Sequence, residues 1–385
     1  MKELSLEKRN CECCGGNDLE PVYSGENYIK DRSETYLFRQ RVVICRRCGF
    51  CFNSPCPTKE DLENYYVSCF SINEAPPFHY SIDARIDALK RYISKKTTFV
   101  EIGGNQSGKF HERLSEYVGS IQNVDLNDEC LSNLKTIDVL PKASVDVLAC
   151  YDVLEHLPKI RDFLQACLRV LKNGGIMMVE VPDIKFYSNN LMLFCVEHVN
   201  HFSVHTLERI ASNCGFKLIE VRRATSSRPL TGFSAVFKKE NNNDFDEAPT
   251  EYLDSLACLK DGGEQVERLR SQIGRLQERI IQLNEEDKKV TLWCVTDFLY
   301  KIIDNFKLPQ NSIVVDSDIR KRNYLEDKKI LVRQPIDCLE HIKDSNLLII
   351  LSPRNKMNIL EWIKKKTGKS FNEEKLEIVG EGLYG

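Results

Sequence analysis

The chain has 385 residues, a net charge of −3 and 42% hydrophobic residues. It is too long for one typical domain, so two or three are expected, of ordinary globular composition. Lys and Arg are scattered with no basic stripe, which argues against a nucleic-acid binder. No apolar run reaches membrane-spanning length, and the first residues, MKELSLEKRN, lack the apolar core of a signal peptide. The expectation is a soluble cytoplasmic protein without a membrane or nucleic-acid partner.

Eight of the sixteen cysteines precede residue 70. In a long chain without a secretion signal, reduced thiols fit better than disulfides. Cys11-Glu-Cys-Cys14 and Cys45-Arg-Arg-Cys48 form two C-x-x-C pairs, each followed by glycine (Gly15, Gly49). Two thiolates at that spacing turn onto one ion, and four suit tetrahedral zinc in a closed structural site. The 30-residue gap between the pairs has room for a hairpin, with VVIC running as a strand into the second pair. Cys13 competes with Cys14 as a ligand. Cys51, Cys56 and Cys69 lack such partners. These features mark residues 1–75 as a zinc-binding module.

From about residue 80 the pattern changes. Ile82, Ile86, Leu89 and Ile93 recur at helical spacing, and TFVEIGGNQSGKF (98–110) is an apolar strand running into a glycine-rich turn and a helix. A doubly wound α/β sheet starts its ligand crevice in this way. QNVDLND places Asp125 22 residues after Gly103, the distance for a carboxylate that takes ribose hydroxyls. Alternation continues through TIDVL (136–140), VDVLAC (145–150), a helix over 159–172, a Gly174-Gly175 turn and IMMVEVP (176–182). KLIEV (217–221) and GFSAVF (232–237) have no obvious helix between them, so an antiparallel hairpin is open to them. Ser107 stands where the dinucleotide fingerprint has its third glycine. A less anionic cofactor, approached by the backbone at Gly103, fits better than a pyrophosphate.

Further on, KKENNNDFDEAPT (238–250) is a polar linker. Val266, Leu269, Ile273, Leu276, Ile280 and Leu283 then step by three and four along one amphipathic helix. That helix either packs along its own domain or forms a dimer seam, so the chain is a monomer or a homodimer. VTLWCV (290–295), SIVVDSD (312–318), KKILV and NLLIILSP (346–353) alternate with helical segments as a second, smaller Rossmann-like unit. Cys294 occupies the position where such a unit usually offers glycine. A docking surface for part of the substrate suits this unit better than a cofactor site of its own.

The series VEIGGN, VDLNDE and VDVLACYDVLEHLPKIRDFLQACLRVLKNGGIMMVEVPD resembles the class I S-adenosylmethionine-dependent methyltransferases. The resemblance implies an α/β, Rossmann-like core in which Glu101 and Gly103 line the methionine end of S-adenosylmethionine, Asp125 holds its ribose and Asp138 lies near its adenine. Glu155-His156 are expected to support the fourth strand and cap the helix that follows. The order of modules is a four-cysteine zinc unit (1–75), a methyltransferase core (76–240), a linker and long helix (241–288) and a Rossmann-like C-terminal domain (289–385). That order resembles the nucleotide-sugar C-methyltransferases that act on deoxysugars.

FCVEHVNHFS (194–203) holds Glu197, His198 and His201, with His205 just beyond. By the resemblance His198 is the catalytic base and Glu197 its electrostatic partner, although Cys195 stands where the family often has tyrosine. An imidazole titrates near neutrality and so suits removal of a proton α to a ketone. Phe202-Ser203 read as a helix start with Ser203 as N-cap, which separates the histidines and disfavours a metal there. The leading expectation is methyl transfer to a carbon of a nucleotide-linked keto-deoxysugar. O-methylation of a sugar hydroxyl or natural-product intermediate is the alternative, and a non-catalytic zinc-stabilised scaffold is the reading from another class.

Overall fold

The computed structural model describes residues 2–30, 35–69, 81–104, 108–126, 134–187, 197–224, 232–240, 251–295, 299, 308, 310–318, 325 and 329–380. Ser107, Cys195, the side chain of Cys69 and the linker residues 241–250 lie outside them. The chain divides into two units, Met1–Gly263 and Glu264–Gly385. Among the described residues no helix is long and apolar enough to cross a membrane.

The first unit opens with short strands β1 (Lys2–Glu3) and β2 (Leu6–Glu7), then a hairpin of β3 (Leu19–Lys30) and β4 (Thr35–Cys45). β5 (Cys51–Asn53) pairs antiparallel with β4, and β6 (Cys56–Pro57) with β2. Helix α1 (Lys59–Cys69) follows, with Glu60 and Asp61 in its first turn, where its dipole favours acids. Leu62 and Tyr65 bury one face of α1 against Leu4, Tyr36, Phe38 and Val199.

Ser81 caps α2 (Ile82–Leu89) by accepting from the Ala84 amide. Next come β7 (Thr98–Ile102), α3 (Gly108–Leu114), β8 (Ser120–Val124), β9 (Val145–Tyr151), α4 (Ile160–Val170) and β10 (Leu171–Pro182). After β11 (Asn200–His201) come α5 (Val204–Ser212), β12 (Phe216–Arg223) and β13 (Gly232–Lys239). The central sheet has the order β12-β13-β10-β9-β7-β8. It is parallel from β8 to β10, and β13 runs antiparallel to both β10 and β12. Side chains alternate between its faces. Val100, Leu148 and Val179 pack on one side, Phe99, Val147 and Met178 on the other. The chain leaves β7 in one direction to β8 and returns on the other side to β9, so the crevice opens at the carboxyl ends of these strands.

TIDVL departs from the expected alternation. It forms a short 3-10 helix, Ile137–Val139, because its polar groups find partners outside a strand ladder. The Thr136 hydroxyl accepts from the Asp138 amide, and the Arg169 guanidinium donates to the carbonyls of Ile137, Asp138 and Leu140.

β11 joins another sheet. It pairs antiparallel with β5, Asn200 opposite Phe52 and His201 opposite Cys51, and so completes the N-terminal sheet from nearly 150 positions downstream. The long helix α6 (Tyr252–Glu285) begins well before the glycine pair and runs through it. Ser255, Leu259 and Gly262 continue the three-and-four stepping of its buried face, so the pair does not break the pattern.

The second unit is a parallel sheet in the order β16-β15-β14-β17-β18, made of β14 (Val290–Trp293), β15 (Ser312–Val315), β16 (Val332–Arg333), β17 (Leu347–Ile350) and β18 (Leu376–Ile378). Helices Leu339–Asp344 and Lys356–Thr367 belong to it. Within this unit the α6 residue Gln272 donates to the Ile378 carbonyl and accepts from the Gly380 amide, so the helix packs beside β18. Cys294 takes φ +77°, the left-handed conformation that glycine adopts most readily. The Val295 amide beyond it donates to the buried Asp316 carboxylate at 2.7 Å, tying the ends of β14 and β15 together.

Candidate functional site: a four-cysteine cluster, a glycine-lined crevice and a histidine pair

The two C-x-x-C pairs fold as matching knuckles. The Gly15 amide donates to the Cys11 carbonyl at 2.7 Å, and the Gly49 amide to the Cys45 carbonyl at 2.8 Å. Gly49 has φ +77°, and a Cβ there would come 2.9 Å from the backbone of Glu251 and Tyr252. The knuckles bring the sulfurs of Cys11, Cys14, Cys45 and Cys48 within 4.8 Å of one another. Cys11 lies 3.4 Å from Cys48, and Cys14 lies 3.5 Å from Cys45. Zinc with four thiolates at about 2.3 Å gives sulfur–sulfur edges of roughly 3.8 Å, so this set fits such an ion. Neighbouring thiols, Cys11 first and then Cys13 and Cys45, hold Cys48 far below the ordinary thiol range. Cys13 is fully buried but stands outside the group of four.

Gly103 follows β7 with φ +76°, and its amide donates to the Val124 carbonyl at 2.9 Å. A Cβ there would meet Val153 at 2.6 Å, so only glycine fits this approach. Glu101 is 2% exposed. One of its oxygens meets His111 Nε2 at 2.5 Å, and the other lies 3.7 Å from Arg85, itself stacked 3.9 Å over the Tyr151 ring. Asp125 is half-buried directly after β8, beside Gly103 at the next strand end. These three residues therefore share the crevice edge. Asp138 stands apart from them on the 3-10 turn. Its carboxylate is 74% exposed and lies 3.9 Å from Arg169, in the last turn of α4.

The histidine run separates across three elements. Ser203 caps α5 through a reciprocal pair with Thr206, which places His205 inside the helix. His201 lies on β11 with its Nδ1 2.8 Å from the Tyr187 hydroxyl, and burial pushes it down to about 3. It is a core histidine. His198 precedes β11 and turns toward His156, with ring centroids 4.9 Å apart.

The expected role of Glu155-His156 as a cap for the next helix is not what they do. The N-cap of α4 is Lys159, with no side-chain capping bond. Leu154–His156 forms a single 3-10 turn that carries both side chains to His198. His156 Nδ1 donates to the Glu197 carbonyl at 3.1 Å and lies 2.6 Å from the Tyr66 hydroxyl. The Tyr65 hydroxyl donates to the Glu197 carboxylate. Burial pushes Glu155 well above the usual carboxylate range and His156 down to about 4, so His156 is neutral near pH 7. One oxygen of Glu155 is buried without a hydrogen-bond partner among the described residues. Donor atoms of Glu155, His156 and His198 lie within 4.8 Å of one another, close enough to meet a single cation. Tyr65, Tyr66 and His156 escaped the sequence reading. The LEHL motif at the end of β9 was their one visible signal, since the tyrosines arrive from α1, some 130 positions before Glu197.

Comparison with known proteins adds the class. Residues 78–221 match the family described as a methyltransferase domain. A probable S-adenosylmethionine-dependent methyltransferase of Mycolicibacterium smegmatis is 32% identical over 80 residues, 20% of this chain and 31% of that protein. The match thus spans less than a third of this relative's length. A ubiquinone biosynthesis O-methyltransferase of Cupriavidus pinatubonensis is 22% identical over 170 residues, 36% of this chain and 67% of that protein. A solved S-adenosylmethionine-dependent methyltransferase from Archaeoglobus fulgidus covers 41% of this chain and 95% of its own, at 19% identity and a TM-score of 0.34. Residues 78–221 thus match a methyltransferase domain, on the doubly wound sheet described above.

Proposed function

We propose that the protein transfers a methyl group from S-adenosylmethionine to the carbon α to a ketone in a nucleotide-linked keto-deoxysugar, with His198 as the base. The observation that carries this reading is the histidine pair, with buried His198 set against a neutral His156 beside Glu197. A neutral neighbour places no positive charge against a base that must take up a proton. S-adenosylmethionine, when bound, supplies an electrophilic methyl on sulfonium. Gly103 gives the close backbone approach, Asp125 takes the ribose hydroxyls, and Glu101, held by His111 and Arg85, stiffens the turn. His198 would take up the α proton, leaving an enolate carbon to accept the methyl group that the bound cofactor would supply, its sulfur leaving as the neutral thioether. Glu197, fixed by Tyr65 at its carboxylate and by His156 at its carbonyl, orients the loop that carries the base. Positioning of this kind carries much of the rate in a displacement that needs an in-line approach.

Cys11, Cys14, Cys45 and Cys48 hold a structural zinc in this reading. It takes no part in the reaction, because four protein thiolates leave no open coordination position.

The test is incubation with S-adenosylmethionine and keto nucleotide sugars, read by mass spectrometry and by deuterium exchange at the α carbon. The expected result is a product heavier by one methyl group, with exchange that disappears in His198→Ala. Methylation of a hydroxyl without α exchange would make the protein an O-methyltransferase, the activity named for its Cupriavidus relative. Absence of S-adenosylmethionine binding would sink both readings.

A further inference from the structure

Asn200 has no exposed surface, and its planar amide meets three partners. Its Nδ2 donates to the carbonyls of Leu154 at 2.8 Å and Leu157 at 2.7 Å, and its Oδ1 accepts from Arg9 Nη2 at 2.9 Å. Those two carbonyls bracket Glu155-His156. Asn200 itself stands two positions after His198, so one amide holds both segments that carry the histidine pair.

The segment is gripped from the N-terminal module as well. Arg9 Nη1 donates to the Val199 carbonyl at 3.2 Å, and its guanidinium lies over the Phe52 ring, 5.3 Å from the centroid. The Asn53 amide donates to the same Val199 carbonyl at 2.9 Å, and its side chain donates to the His198 carbonyl at 3.4 Å. The carbonyls on both sides of Val199 are thus held by residues of the N-terminal module.

We propose that Asn200, oriented by Arg9, is a positioning residue that sets the separation of His156 and His198. This inference rests on the reading of His198 as the base. The residue type follows from the geometry. Two donors on one nitrogen and one acceptor in the same plane describe a carboxamide. A carboxylate in its place would keep Arg9 but face two carbonyl oxygens with no proton to give. A leucine would leave Arg9 and both carbonyls without their buried partner. A shift of about 1 Å in the relative position of reacting groups is enough to cost on the order of 100-fold in rate.

The experiment uses the full chain with 15N-labelled histidine. In Asn200→Asp the expected result is a roughly 100-fold lower kcat, S-adenosylmethionine affinity within about twofold by calorimetry, and displaced ring resonances for His156 and His198. His341, in the other unit, should stay in place. A merely structural role would lower Tm but leave the kcat of the folded protein and both resonances at wild-type values, and that outcome overturns the proposal. If Asn200→Asp does not fold, Arg9→Gln reads the same contact. It should displace the same resonances by less, and unchanged resonances there overturn the proposal too. His198→Ala separates the two ideas. Retained activity in it, with displaced resonances in Asn200→Asp, removes the base and keeps the clamp. Lost activity in it, with Asn200→Asp behaving as wild type, removes the clamp and keeps the base.

Discussion

The first unit gathers metal-capable side chains twice, once at Cys11, Cys14, Cys45 and Cys48 and once at Glu155, His156 and His198. Among the described residues, donor atoms lie inside 4.8 Å of one another in each group. They differ in what their donor atoms meet. In the first, thiol neighbours push Cys48 below the ordinary thiol range, and the four sulfurs match the spacing of a tetrahedral ion. In the second, burial pushes His156 down to about 4 and Glu155 above the usual carboxylate range, and the His156 ring is already engaged by Tyr66 and the Glu197 carbonyl. Proximity of ligand-type residues therefore does not make a metal site. What separates the groups is that the His156 ring nitrogen already meets Tyr66 and the Glu197 carbonyl, whereas the four sulfurs face one another.

The largest expected effect falls on the cysteines. Cys45→Ser with Cys48→Ser should reduce bound zinc from about one per chain to none, with loss of the folded N-terminal module, because metal affinity of about 10 kcal/mol becomes folding energy in such sites. Metal analysis and thermal unfolding check this. A second equivalent of metal, retained in that variant, would place an ion at Glu155, His156 and His198 and break the comparison.

Next in size is His198→Ala, expected to lower kcat by about 10²–10⁴-fold, the span of general base catalysis, with S-adenosylmethionine affinity unchanged by calorimetry. Smaller, about tenfold, is the expected loss of that affinity in Asp125→Ala, for one lost charge-assisted hydrogen-bond group. Asp138→Ala, exposed and held by Arg169 and the Thr136 hydroxyl, should change it by less than about twofold.

A separate effect, on stability and not on activity, appears in acid. His156 and His201 titrate at about 4 and about 3 in the fold, against about 6.5 in an unfolded chain. Between those values the unfolded state binds more protons, so stability rises with pH there and falls as pH drops below about 6.5. The loss levels off once pH passes below the folded values. Replacing either histidine with Gln should flatten that slope in urea titrations taken between about pH 6.5 and 4.

Much of this was written in local patterns. The cysteine pairs, the glycine turn at Gly103 and the Ser203 cap depend on neighbours a few positions away, and they could be read directly. The parallel strands of both sheets, β18 excepted, were legible from their apolar runs. TIDVL misled because its apolar alternation suits a strand, while Arg169, some 30 positions on, satisfies its carbonyls instead. Glu155-His156 misled in the opposite sense. Their neighbours in sequence suggest a cap, and only the return of the chain at His198 gives them partners.

The sequence by itself determined the class of domain, the four-cysteine set and the residue types suited to proton transfer, because each rests on spacing along a helix, strand or turn. The tertiary structure alone decided which histidine meets which. It did so by pairing β11 with β5, so that the N-terminal module grips the loop that carries His198. Strand pairing across nearly 150 positions leaves no local trace, since the hydrogen bonds that make it belong to the backbone, which every residue shares.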